Sequence, residues 1–200
     1  MGSDRFSIKA CLWVSGAKHW GTLIMHRLGG PDPLDGISAY QCSDGGIAHL
    51  HFVTYGYTSL YYDEESVGSE FSGFGFEMTF RLAGNPRAGE DPIWVCNMLQ
   101  NLARYVFDSG RWFEPFHWIP ANGPIKADAE TDIVGLAFLS DPTLLAVDSP
   151  HGRVEFVQAF GITQSELDSF QDTRHTAEEL IDYHRKANPL LVTDLARKSN

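Results

Sequence analysis

Two histidines one residue apart, His49 and His51, are the first place to look for chemistry in this chain. On a strand, side chains at i and i+2 share a face, so two imidazoles could meet one ion. A zinc site takes at least a third protein ligand, and no spacing here marks one. The pair therefore reads as core or hydrogen-bonded histidines, with a metal-dependent hydrolase using His49 and His51 as the alternative. Ser72-Gly73-Phe74-Gly75 is rich in glycine but leads into a strand pattern, whereas a phosphate cradle leads into a helix N-terminus. No GxSxG, P-loop, GxGxxG or HExxH pattern occurs. Cys11, Cys42 and Cys96 are scattered, without a CxxC pair, and Cys96 has the setting of a small core residue. No catalytic residue, metal ligand or cofactor is expected.

A different chemistry is written in the stretch from Tyr55 to Ser66. Tyr57, Tyr61 and Tyr62 stand beside three consecutive carboxylates, Asp63, Glu64 and Glu65. Tyrosine offers a large rigid contact area with a polar tip, which suits interfaces. The carboxylates could meet lysine or arginine on a partner. These six residues are the candidate partner-binding site; the alternative is a tyrosine-edged core beside a solvated turn.

Strands and helices must position these groups. Gly21–Leu28 and Ile37–Cys42 read as strands around the turn signal GGPDPLDG, and His49–Tyr55 as a third. Phe74, Phe76, Met78, Phe80 and Leu82 share one parity and Glu77, Thr79 and Arg81 the other, which predicts a strand with its apolar side buried. Asp91 suits a helix N-cap and Pro92 the first helical position, and an apolar stripe from Trp94 to Val106 runs to the stop at Gly110. The burial of Phe74, Phe76, Met78 and Phe80 beneath this helix is expected. Trp112–Ile119 and Ile133–Leu139 are further strands. Gly152–Gly161 reads as one covered on both faces, and Leu190–Leu195 as a last one. Thr163-x-x-Glu166 and Thr176-x-x-Glu179 fit capping boxes of two short helices. The pattern predicts an α+β fold, a mixed and largely antiparallel sheet packed with helices in layers.

At 200 residues and 43% hydrophobic, the chain can bury a core without staples. Its 12% aromatic content excludes intrinsic disorder, and 15 basic against 26 acidic residues give −11, which disfavours nucleic acid and anionic membranes as partners. Three cysteines and no long apolar run lead us to expect a cytoplasmic protein.

The sequence Leu28 to Asp35 (LGGPDPLD) resembles a turn of the suppressor-of-fused (SUFU) domain family. The resemblance continues through His49-x-His51, Ser59-Leu60-Tyr61, Glu70-Phe71 and, most strongly, Ser72 to Leu82 (SGFGFEMTFRL). It resumes at Leu102 to Phe107, Asp141-Pro142, Val154 to Gly161 and Leu191 to Asp194. The resemblance covers about 27–197 of one domain spanning 1–200, with 1–26 as an N-terminal extension. It implies a noncatalytic α+β module that binds other proteins. Tyr61 matches a tyrosine near the peptide site of the animal family member. Several residues of that site, an aspartate among them, are missing here between Phe71 and Ser72. Single-domain members look bacterial, and the resemblance implies an immunity protein that neutralises a polymorphic toxin by direct binding. The expected partner is a protein, such as a basic toxin domain; oligomeric state is left open. A scaffolding or regulatory subunit is the remaining alternative.

Overall fold

The computed structural model describes residues 23–26, 32–43, 46–59, 61–84 and 92–199. Along them run β1 (Leu23–His26), β2 (Gly36–Cys42), β3 (His49–Tyr55), β4 (Phe71–Ala83), α1 (Ile93–Ser109), β5 (Trp118–Pro120), β6 (Ile133–Ser140), β7 (Val147–Ser149), β8 (Gly152–Thr163), α2 (Gln164–Gln171) and α3 (Ala177–Arg185). The strands form one open sheet in the order β1-β2-β3-β4-β8-β6-β5, with β7 paired to β8 off that path. β4 and β8 run parallel at its centre. The other pairs are antiparallel. This is the α+β architecture that the pattern predicts.

The alternation in β4 does what period two requires. Phe76, Met78 and Phe80 are buried in one cluster with Val95, Leu99, Ala103 and Val106 of α1. Phe74 is half-buried, its ring 5.0 Å from that of Phe107 on the helix. Gly110 ends α1 at φ 68°, a left-handed position that glycine takes without strain, and its N–H donates to Val106 O. Asp91, the expected N-cap, lies outside the described residues, as do Gly29 to Pro31 of the first turn. Pro92 takes the cap position itself.

The opposite face of the sheet is also covered. Ala137, Leu139, Phe160 and Ile162 pack beneath Leu167 and Phe170 of α2 and Ala177 and Ile181 of α3. β8 is thus buried on both sides, as its apolar run demands. Both capping boxes form, at Thr163 with Glu166 and at Thr176 with Glu179. Replacing Thr176 by alanine removes an acceptor from the α3 N-terminus and is expected to cost about 1 kcal/mol in a urea melt.

Two strand expectations fail for local reasons. Trp112–Ile119 forms a strand only from Trp118, because Pro115 and a left-handed Phe116 (φ 71°) turn the chain before it. Leu190–Leu195 contributes a single bridge, Thr193 to Leu82, because Leu191 is also left-handed at φ 50°. The short β7 carries no sequence signal of its own.

Candidate functional site

The stretch from Tyr55 to Ser66 is built outward from β4. Glu77 lies fully buried and gathers the turn after β3 around its carboxylate. Oε1 accepts from Gly56 N–H (3.1 Å), Thr58 N–H (3.1 Å) and the Thr58 hydroxyl (2.7 Å), and Oε2 from the Thr54 hydroxyl (2.7 Å). Burial pushes the Glu77 carboxyl up to about 7, against these hydrogen bonds, which favour its charge. One step on, Phe74 N–H donates to Tyr57 O at 2.9 Å and Ser59 N–H to Ser72 Oγ at 3.0 Å. This approach requires Gly73, since a Cβ there would stand 2.5 Å from Tyr57 O.

The turn sorts the candidate tyrosines. Tyr57 is drawn inward to 1% exposure and stacks on Phe76 with centroids 4.7 Å apart, so its ring belongs to the core and offers no contact area. Tyr61 and Tyr62 are 64% and 75% exposed. Val67 and Phe71, further along the same stretch, are exposed as well. Asp63 N–H donates to His151 Nε2 at 3.0 Å, and the Tyr62 and His151 rings lie 5.7 Å apart, which ties the loop to the β7–β8 turn. The Asp63 carboxylate caps the short 3-10 turn Glu64–Ser66, accepting from Glu65 N–H (3.2 Å) and the Ser66 hydroxyl (2.6 Å). The Ser66 bond, then the Glu65 N–H, lowers its pKa. Asp63 is therefore committed to the loop's shape, while Glu64, Glu65 and Glu70 face solvent.

His49 and His51 share a face as expected, and both are buried. His49 Nδ1 lies 2.7 Å from Ile47 O, and His51 Nε2 stands 3.3 Å from Asp141 Oδ2 without hydrogen-bond alignment. Among the described residues no group of three or more histidine, cysteine, aspartate or glutamate side chains could hold a metal. His51 instead borders a polar network inside the sheet's second face, which sequence reasoning missed. Arg81 donates to both Asp141 carboxylate oxygens (2.8 and 2.9 Å), to Thr143 Oγ1 (2.6 Å) and to the Gln158 side-chain oxygen Oε1. Asp141 also accepts from Thr79 Oγ1 (2.7 Å), Thr143 N–H (2.8 Å) and Leu144 N–H (2.9 Å). Burial works against the Asp141 charge, but His51 and Arg81 beside it hold the carboxyl well below the usual carboxylate range. Gln158 passes the network on to Leu190 O and Leu191 O. The polar parity of β4 is the network's one trace in the sequence, and it is the same trace that a solvated face would leave.

Among the described residues, an open mixed sheet, clad by one helix on one face and two on the other, with an exposed tyrosine loop beside its central strands, defines an α+β layered domain. Residues 30–198 match the sequence pattern of the family described as Suppressor of fused protein (SUFU), and the chain belongs to that family. It is 34% identical to the human Suppressor of fused homolog over 185 residues, which is 88% of this chain and 38% of that protein. The mouse homolog matches equally. The chain thus spans well under half the length of these curated relatives. Among solved structures, it superposes on a chain of a Sufu–Fu complex with a TM-score of 0.84 at 27% identity, covering 99% of this chain and 92% of that one. Drosophila Suppressor of Fused gives 0.73 at 30% identity, covering 86% and 44%. A SUFU homologue from Neisseria gonorrhoeae gives 0.61 at 16% identity, covering 96% and 93%, a likeness of fold. Membership in this family accords with a protein-binding, regulatory role. No helix among the described residues is long and apolar enough to cross a membrane.

Proposed function

We propose that this chain is a noncatalytic protein-binding domain, a cytoplasmic bacterial immunity protein that neutralises a basic toxin domain by direct contact. The observation that carries the reading is that Tyr61, Tyr62, Val67 and Phe71 are exposed on one short stretch that also exposes Glu64, Glu65 and Glu70, on a chain of net charge −11. Exposed aromatics edged by one sign of charge suit a basic partner: the rings supply packed area, and the carboxylates steer encounter. A relative seen in a Sufu–Fu complex supports protein binding as the general role.

The test is co-purification from the native host, followed by binding kinetics with the recovered partner. Glu64, Glu65 and Glu70 changed together to glutamine should slow association and flatten its salt dependence while leaving the melting curve in place, because exposed charges contribute little to stability. Asp63 is kept, since it shapes the loop. Tyr61→Ala should speed dissociation by about tenfold or more if the ring is a packed anchor. Unchanged kinetics in both variants would move the partner surface elsewhere on the domain.

A further inference from the structure

The end of α1 and the segment leading into β5 enclose an open groove of about 620 Å³ whose lining includes Tyr105, Arg111, Trp112, Phe113, Phe116 and Ile119. Tyr105, Trp112 and Phe116 are exposed large side chains concentrated in this one place. Phe113 and Ile119 belong to the main core, so the groove opens onto a rigid base.

Phe116 occupies a position that ordinarily belongs to glycine. Glu114 to His117 form a turn closed by His117 N–H to Glu114 O at 3.1 Å, with Pro115 second and Phe116 third. Phe116 N–H donates to Phe138 O at 2.7 Å while Phe138 N–H donates to His117 O at 2.9 Å. Two residues thus oppose one, a β-bulge with its first residue left-handed at φ 71°. Such turns and bulges favour glycine there, and a bulky side chain is a genuine outlier. Burial does not offset the strain, since the ring stays exposed. The chain holds an aromatic ring in solvent at a backbone position that disfavours it, and strain of this kind clusters at ligand clamps.

The charges of the groove favour one kind of occupant. Glu114 is engaged within it: Oε1 accepts from Trp112 Nε1 at 3.0 Å, and Oε2 lies 3.7 Å from His117 Nε2. His117 Nδ1 accepts from Glu114 N–H at 3.2 Å. Arg111 is exposed and makes no ion pair among the described residues, so, with Glu114 turned onto Trp112 and His117, the Arg111 guanidinium is the charged group of the lining left to pair with a ligand. Pro120 lies in β5 at the end of the sheet and lacks an N–H, so a main-chain ladder cannot extend along this edge. Recognition here is by side chains.

We propose that this groove docks an acidic segment of another protein that carries an apolar side chain next to a carboxylate. The apolar group lies against Tyr105, Trp112 and Phe116, and the carboxylate pairs with the Arg111 guanidinium. The surface uses residues separate from the tyrosine loop and the opposite charge, and it does not depend on the toxin-neutralising reading.

The probe is the peptide acetyl-Glu-Leu-Phe-Asp-amide, titrated into the full chain while the indole N–H resonance of Trp112 is followed by NMR. A saturable shift below about 5 mM is expected, a range typical of short unstructured ligands. The lysine counterpart, acetyl-Lys-Leu-Phe-Lys-amide, should give no saturable shift. Arg111→Gln should weaken binding about tenfold, the loss of a charge-assisted hydrogen bond. Phe116→Gly should also weaken it while raising the melting temperature, a pairing that a purely structural ring would not give. Equal shifts by both peptides, no shift at all, or a melting temperature lowered by Phe116→Gly would overturn the proposal. So would a concentration-dependent dimer that Phe116→Gly abolishes, because a second copy would then be the occupant.

Discussion

Asp141→Ala is expected to destabilise the fold by about 3–5 kcal/mol, against a total of about 5–15 for a domain of this kind. The reason is what remains. Arg81 is 1% exposed and would keep its charge with no counter-ion, while Thr79, Thr143 and Leu144 N–H lose an acceptor together. Removing one partner of a buried pair costs far more than removing both. The double variant Arg81→Met with Asp141→Leu should therefore recover a large part of the loss, provided the polar neighbours repack. Urea unfolding of the single and double variants reads this directly. If Asp141→Ala shifts stability by less than about 1 kcal/mol, the pair is not what holds the sheet's second face to the 141–144 turn.

This network also marks where the sequence stops being readable. The alternation in β4 announces a strand and says that Phe76, Met78 and Phe80 face a core. It says nothing of what Glu77, Thr79 and Arg81 face, because a polar parity looks the same whether water or a buried carboxylate lies opposite. The partner of Arg81 is 60 residues away, in a turn with no periodicity. The helices were legible because their information is local: Thr163 with Glu166, Thr176 with Glu179, and Gly110 as a stop all act within one turn. Leu190–Leu195 has strand composition, yet Gln158 draws the Leu190 and Leu191 carbonyls into the polar network. Only Thr193 then reaches β4, where Ala83 N–H donates to its carbonyl and its own N–H donates to Arg81 O.

The tyrosine loop shows the same limit at smaller scale. Composition drew attention to Tyr57, Tyr61 and Tyr62 together, but their fates diverge because Glu77 pulls the turn at 56–58 inward and leaves the segment after it outside. Asp63 looked like one of three equivalent charges, and its place before Glu64-Glu65-Ser66 makes it a cap. That signal was present, since aspartate three residues before serine is a common local hydrogen-bonding pattern. Phe116 had only Pro115 to announce a turn, and nothing in the sequence tells that the residue after it is left-handed.

Glu77 and His51 together are expected to make stability nearly independent of pH between about 4.5 and 6.5, and either one alone to make it strongly dependent. Burial raises the Glu77 carboxyl from 4.5 to about 7. The folded chain then holds a proton that the unfolded chain releases, so this contribution is fully present below 4.5 and is lost as pH rises through 7. Burial, then the neighbouring Arg81 charge, lowers His51 from 6.5 to about 4, with Asp141 opposing and His49 adding slightly. Here the unfolded chain holds the extra proton, so the contribution is fully present above 6.5 and is lost as pH falls through 4. Inside the window each group contributes a slope of up to about 1.4 kcal/mol per pH unit, of opposite sign. Glu166, lowered to about 2, and Asp141 act only below it. Glu77→Gln keeps an acceptor for Gly56 and Thr58 N–H, so that variant should fold, and its stability should rise by about 2 kcal/mol from pH 4.5 to 6.5. His51→Gln should show a fall of similar size. Urea midpoints at three pH values across the window decide it. Parallel profiles for the wild type and both variants would show that neither side chain changes its proton affinity on folding.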